Sequence, residues 1–166
     1  MKILVFSDSH GYCTNMMRAI DLETPNYLIH LGDHSADTVC LKERYPALPI
    51  LSVRGNCDYL DTLTSESALA VYDGIRIFAV HGHKYGVKNG LLRLYMAAKE
   101  KAVHIALFGH THCAYCENNN GLWLLNPGSC GCMGRSTYGL ISIAEGRVLC
   151  EIRTLSEREE HHDSCD

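Results

Sequence analysis

Seven side chains able to hold divalent metal ions follow five apolar runs of this 166-residue chain, and none lies inside a run. Asp8 and His10 come after residues 2–7, Asp33 after 27–31, Asn56 after 50–53, His81 after 75–80, and His110 and His112 after 105–108. Carboxylate, amide and imidazole atoms are hard-to-borderline ligands. They suit Mn2+, Fe, Zn2+, Co2+ or Ni2+ rather than soft thiolate chemistry. Seven are too many for one tetrahedral ion. With one carboxylate bridging, they supply two ions with four contacts each. Two such ions about 3.5–4 Å apart lower the pKa of a bridging water and hold a phosphoryl oxygen for in-line attack. Taken singly, an Asp-Ser-His, Gly-Asp or Gly-Asn segment is an ordinary turn. Only the ordered set implies a site.

The elements that must position these residues are legible as alternating apolar runs and helical patterns. Residues 2–7, 27–31, 50–53, 75–80 and 105–108 read as strands. Residues 14–23 carry helical spacing through Met16, Met17, Ile20 and Leu22, ended by Thr24-Pro25-Asn26. A second helix is expected over 36–45 with Ser35 as its cap, and a third over 90–101 with Leu91, Leu94, Tyr95 and Ala98 on one face. Asp73-Gly74 between 69–72 and 75–80 is a strong two-residue hairpin signal. Further hairpins are expected at 115–117/122–125 and 138–144/147–152. Strands alternating with helices, then hairpins, predict an α/β fold with two facing mixed β-sheets flanked by helices. If the ligand-bearing strands are neighbours with one sense, their carboxyl ends form a shared rim where ligands bind.

The set Asp8-x-His10, Gly32-Asp33, Gly55-Asn56, His81-Gly82-His83 and Gly109-His110-Thr111-His112 resembles the calcineurin-like metallophosphoesterase family. With the Asn126-Pro127-Gly128-Ser129 segment and the short chain, it looks most like the compact phosphodiesterase branch, over about residues 2–152. The resemblance implies an αββα sandwich and a pair of divalent ions, Mn2+ first among them. It assigns Asp8, His10, Asp33 and His112 to one ion, and Asp33, Asn56, His81 and His110 to the other. Asp33 is thereby the bridge, and Asp33, Asn56 and His81 are the residues closest to the chemistry. It also places Gly128 and Ser129 beside the substrate. Many phosphomonoesterases of the family carry a histidine after the Gly-Asn pair to protonate the leaving group; here the residue is Cys57. A thiol with an ordinary pKa near 8.5 replaces an imidazolium poorly at pH 7. The expected activity is therefore hydrolysis of small phosphodiesters through a metal-bridging hydroxide. The alternatives are phosphomonoester hydrolysis on the same fold and a non-catalytic scaffold like the retromer subunit that resembles this family. The scaffold predicts missing ligands, and none is missing.

Other residues carry weaker signals. Arg135, in a Gly-rich loop, is a candidate clamp for a phosphate oxygen. His34 and His83 are expected at the rim behind the ligands, His30 and His104 in structural roles, and His161-His162 in the tail. Cys113-x-x-Cys116 and Cys130-x-Cys132 could in principle hold zinc or form a regulatory disulfide. Side chains three apart on a strand point to opposite faces, so separate buried thiols are the expectation.

Bulk composition narrows the class. An apolar fraction of 46% supports a full core, and the length argues for one domain over 1–155 with a charged, frayed tail over 156–166. A formal charge of −4 without any Lys/Arg cluster gives no footprint for nucleic acid or an anionic membrane. No run approaches the roughly 20 residues of a membrane span. Nine cysteines without an export signal point to reduced thiols and a cytoplasmic protein. The expected partner is a small phosphorylated substrate; homo-oligomerisation is left open.

Overall fold

The computed structural model describes residues 1–131 and 135–155. Three short strands, β1 (Lys2–Phe6), β2 (Tyr27–His30) and β3 (Ile50–Ser52), pair in parallel through Phe6↔His30 and His30↔Ser52, which levels their carboxyl ends. The crossovers are α1 (Cys13–Glu23) and α2 (Asp37–Arg44). A hairpin of β4 (Ser67–Tyr72) and β5 (Ile75–Val80) begins a second sheet. Its turn places Asp73 and Gly74 at φ 47° and 79°, the double positive φ that makes Asp-Gly a tight hairpin turn. After α3 (Leu92–Glu100), β6 (Ile105–Leu107) pairs in parallel with β5. The hairpin β7 (Tyr115–Asn119) and β8 (Leu122–Asn126) then adds β8 in parallel to β6. The chain returns to the first sheet as β9 (Ser136–Ala144) and β10 (Arg147–Leu155). The sheet orders are β10-β9-β1-β2-β3 and β4-β5-β6-β8-β7.

Strands buried on both faces need continuous apolar runs, and these have them. Ile3 and Val5 of β1 point between the sheets, with Ile29 and Leu31 and, from the opposite sheet, Ile77, Ala79, Ile105, Leu107 and Leu125. The alternate residues Leu4 and Phe6 pack against Met16, Ala19, Ile20 and Leu41 beneath α1 and α2. Phe78, Val80, Ala106 and Phe108 do the same beneath α3, against Leu94 and Ala98. The result is the expected sandwich of two mixed sheets with helices outside.

Three local expectations need correction. Ser35 does not cap α2: its hydroxyl donates to Asp61 Oδ2 at 2.7 Å, drawn there by the loop after β3. Leu22 is exposed and Ala19 takes the inward position, because two residues past Ile20 the helix has turned about 200° away from the core. The last hairpin is longer than its apolar runs, pairing from Ala144↔Arg147 out to Ser136↔Leu155. The expected frayed tail over 156–166, with His161 and His162, lies outside the described residues. Among the described residues no helix is long and apolar enough to cross a membrane.

Candidate metal centre

The carboxyl ends of both sheets open on the same rim, so the seven residues come from two sheets rather than from neighbours in one. Asp8, His10, Asp33 and Asn56 follow β1, β2 and β3; His81, His110 and His112 follow β5 and β6. One ligand atom each from Asp8, His10, Asp33 and His112 lies within 4.8 Å of the others, and the same holds for Asp33, His81 and His110. Asn56 Oδ1 stands 3.2 Å from His81 Nε2, beside the second group. Asp33 belongs to both groups. Asp8, Asp33 and His81 form a buried floor, while His10, Asn56 and His112 are exposed above it.

This convergence strains the backbone. Asp8, His10, Asp33, His110 and His112 adopt φ of 55°, 47°, 55°, 69° and 59°. That region is sparsely populated by residues with a Cβ and costs on the order of 1 kcal/mol or more each. A hydrogen-bond frame holds them there. Asp8 N–H donates to Gly32 O at 3.0 Å, and Asp8 Oδ2 accepts from His110 N–H at 3.1 Å. Ser129 Oγ donates to Asp8 O at 2.8 Å. Asp33 Oδ1 accepts from Cys57 N–H at 2.8 Å, and His81 Nδ1 donates to Leu31 O at 2.8 Å, which aims His81 Nε2 at the centre. Gly55 packs so closely that a Cβ there would stand 2.6 Å from Asp33 N and 2.9 Å from His81 Nδ1.

The donor set fits divalent cations. Asp8 Oδ1 is buried without a hydrogen-bond partner, yet His112 Nε2 stands 3.1 Å from it. His112 Nε2 is also 3.5 Å from His10 Nε2. Lone pairs gathered this closely want a cation between them. Burial works against the Asp33 carboxylate, but the hydrogen bond from His81 and then that from Cys57 N–H hold it well below the usual range. Burial also opposes the His81 imidazolium, and Asp33 followed by the charge of Asp8 outweighs it, raising this group. Burial, then Lys88 and His81, lowers His110. Burial and then the contact with Asp33 push the exposed Cys57 thiol up to about 11.

Two carboxylates that sequence reasoning passed over organise the floor. Asp58 Oδ2 accepts from Asp33 N–H (2.9 Å) and Gly55 N–H (2.7 Å), and Oδ1 from His34 N–H and Ser35 N–H (both 2.8 Å). Asp37 ties Gly11 N–H (2.9 Å) to the His34 ring (3.1 Å). Their signal was adjacency to ligand loops, which is too weak to separate them from ordinary loop acids.

Other candidates fall as follows. Gly128 and Ser129 are buried beneath the Asp8 loop, with Gly128 N–H donated to Asn126 Oδ1 at 2.9 Å. Arg135 is exposed. His30 is fully buried between Ser9 Oγ and Gly32 N–H, and His104 Nδ1 accepts from Arg76 N–H, both structural roles. Cys116 Sγ donates to Cys150 O and Cys130 Sγ to Ser7 O, while Cys113 is exposed. No cysteine joins a ligand group among the described residues; Cys132 lies outside them.

The sequence matches the calcineurin-like phosphoesterase superfamily domain over residues 1–146. It is similar to a probable metallophosphoesterase, YsnB, of Bacillus subtilis (strain 168), with 35% identity over 133 residues covering 78% of this chain and 75% of the relative. It is also similar to the phosphodiesterase MJ0936 of Methanocaldococcus jannaschii, 27% identical over 146 residues covering 78% and 84%. Among solved structures, Vps29 of Entamoeba histolytica complexed with zinc shares the fold at a TM-score of 0.73 and 20% identity, covering 93% of this chain and 99% of that one. Domain match, relatives and strand-end ligands agree: the chain belongs to the calcineurin-like phosphoesterase superfamily.

Proposed function

We propose that this metallophosphoesterase is a phosphodiesterase that cleaves small phosphodiesters at a binuclear centre, with Mn2+ as the expected pair of ions. The observation that carries this reading is Asp33 standing in two ligand groups at once, over a buried floor with an exposed top. Two divalent ions held there would activate water at neutral pH and neutralise charge on the phosphoryl oxygens. Asp8 and Asp33 supply the compensating negative charge. His81 is oriented by Leu31 O, and Asn56 completes the second group as a neutral amide. His10 and His112 form the exposed edge over which a substrate enters. Arg135 is assigned to a phosphate oxygen. Gly128 and Ser129 are better suited to fixing the Asp8 loop than to touching substrate, since their groups point into the frame.

The phosphodiester preference rests on Cys57, which offers a weakly acidic thiol where a monoesterase of the family has histidine, and on the name of the archaeal relative. The described cysteines are all free thiols, which supports a reducing compartment, the cytoplasm. The test is metal-reconstituted hydrolysis of bis-p-nitrophenyl phosphate beside p-nitrophenyl phosphate, with Asp33→Ala and His81→Ala as controls. Diester turnover abolished by both substitutions is expected. Turnover of the monoester alone would refute the preference. No turnover of either with any divalent metal would leave a scaffold on this fold.

A further inference from the structure

A cavity of about 330 Å³ opens beside the second ligand group, lined by Glu66, Ser67, Val80, Gly82, His83, Lys84 and Tyr85. His83 is its wall towards the centre: the His83 ring lies 5.5 Å from the His81 ring and 6.1 Å from that of His110, centroid to centroid. His83 belongs to neither ligand group. Its Nδ1 has no hydrogen-bond partner among the described residues and is closed off from solvent, so contact with a ligand falls to the rest of the ring.

The walls are fixed before anything binds. Gly82 adopts φ 108°, and a Cβ there would stand 2.9 Å from a Val87 methyl, so the turn is held against the core. Tyr85 meets Phe78 edge-on at 6.0 Å. Glu66 is clamped between Lys84 Nζ and Arg54 Nη2, the latter at 3.0 Å. Around a short apolar patch of Val80 and Tyr85, the cavity thus sets a carboxylate acceptor, an ammonium donor, the Ser67 hydroxyl and an imidazole. Its volume sits at the lower limit for ligand sites, about 300 Å³, which suits a glycerol- or sugar-sized group and excludes a long acyl chain.

We propose that this cavity receives one alcohol of the phosphodiester and selects a small polyhydroxylated one. Glu66 and Ser67 take its hydroxyls, and His83 contacts it next to the ester oxygen. This rests on the phosphodiesterase reading above and adds the class of alcohol.

The test compares the glyceryl and ethyl diesters of p-nitrophenyl phosphate, which share a leaving group, on the Mn2+-loaded full-length protein. The glyceryl diester is expected to show a KM about ten-fold lower, the size of one hydrogen bond to a charged group. Glu66→Gln and His83→Phe are each expected to bring the two KM values within about three-fold of one another. A readout independent of turnover is amide NMR of the protein loaded with diamagnetic Zn2+: glycerol should shift Ser67, Lys84 and Tyr85 in the wild type and lose that effect in Glu66→Gln. Hydrolysis of both diesters with equal KM overturns this proposal and leaves the phosphodiesterase intact. Hydrolysis of neither overturns both.

Discussion

The carboxylate of Asp58 accepts the backbone N–H of Asp33 at 2.9 Å, so the residue common to both ligand groups is held from behind by an acid that belongs to neither. The same carboxylate gathers the N–H groups of His34, Ser35 and Gly55, binding the loop after β2 to the loop after β3. Burial opposes its ionisation, but the N–H donors of Gly55, Ser35, His34 and Asp33 hold it below the ordinary carboxylate range. Asp58→Asn would turn an NH2 group towards backbone donors. It should cost about 2–4 kcal/mol in urea unfolding and about 10–100-fold in Mn2+ affinity by titration calorimetry. An unchanged affinity would show that the Asp33 loop holds its place unaided.

Sharing of Asp33 predicts an asymmetry among ligand substitutions. His112→Ala removes a member of the first group only, and His110→Ala a member of the second only. Each should lower bound Mn2+ from about two ions per chain to about one after equilibrium dialysis, whereas Asp33→Ala should leave almost none. Equal losses for all three would contradict two separable sites.

His30 predicts a pH dependence of stability. Burial lowers its pKa to about 4, and the strongest opposing charge, Asp37, does not outweigh it. An unfolded chain protonates this imidazole below about 6.5, whereas the folded chain stays neutral until about 4. Its contribution is therefore fully present above about 6.5 and falls with pH, by roughly 3 kcal/mol at the low end. Urea unfolding between pH 7 and pH 5 should show a shallower decline in His30→Gln than in the wild type. Parallel curves would mean that His30 is protonated in the folded state.

Cys57 predicts a gain of function. The side chain is exposed, so Cys57→His needs no repacking. An imidazole there would protonate a poor leaving group, raising turnover of an alkyl phosphomonoester by about ten-fold or more. Unchanged monoester turnover would show that leaving-group protonation is handled elsewhere.

Much of the site was visible before folding because its parts are local. An apolar run followed by Asp-Ser-His or Gly-His-Thr-His puts metal-binding atoms at a strand end whatever the rest of the chain does. The hairpin at Asp73-Gly74 was equally local, since it depends on the φ values those two residues tolerate. Ser35 misled because capping competes with tertiary hydrogen bonding, and Asp61 won it.

Residue identity and strand-end placement were thus properties of the sequence by itself, along with the sandwich that the apolar runs demand. Tertiary structure alone decided that the strand ends come from two sheets and that Asp58 braces the Asp33 loop; it also brings Asp33 within reach of both ligand groups, the bridging place the family resemblance implied. Those facts depend on distances between segments far apart in the chain, such as His10 and His112, 102 residues apart yet 3.5 Å between ring nitrogens. No local pattern encodes such a distance; packing of the two sheets across Ile3, Val5, Ile77 and Leu107 sets it.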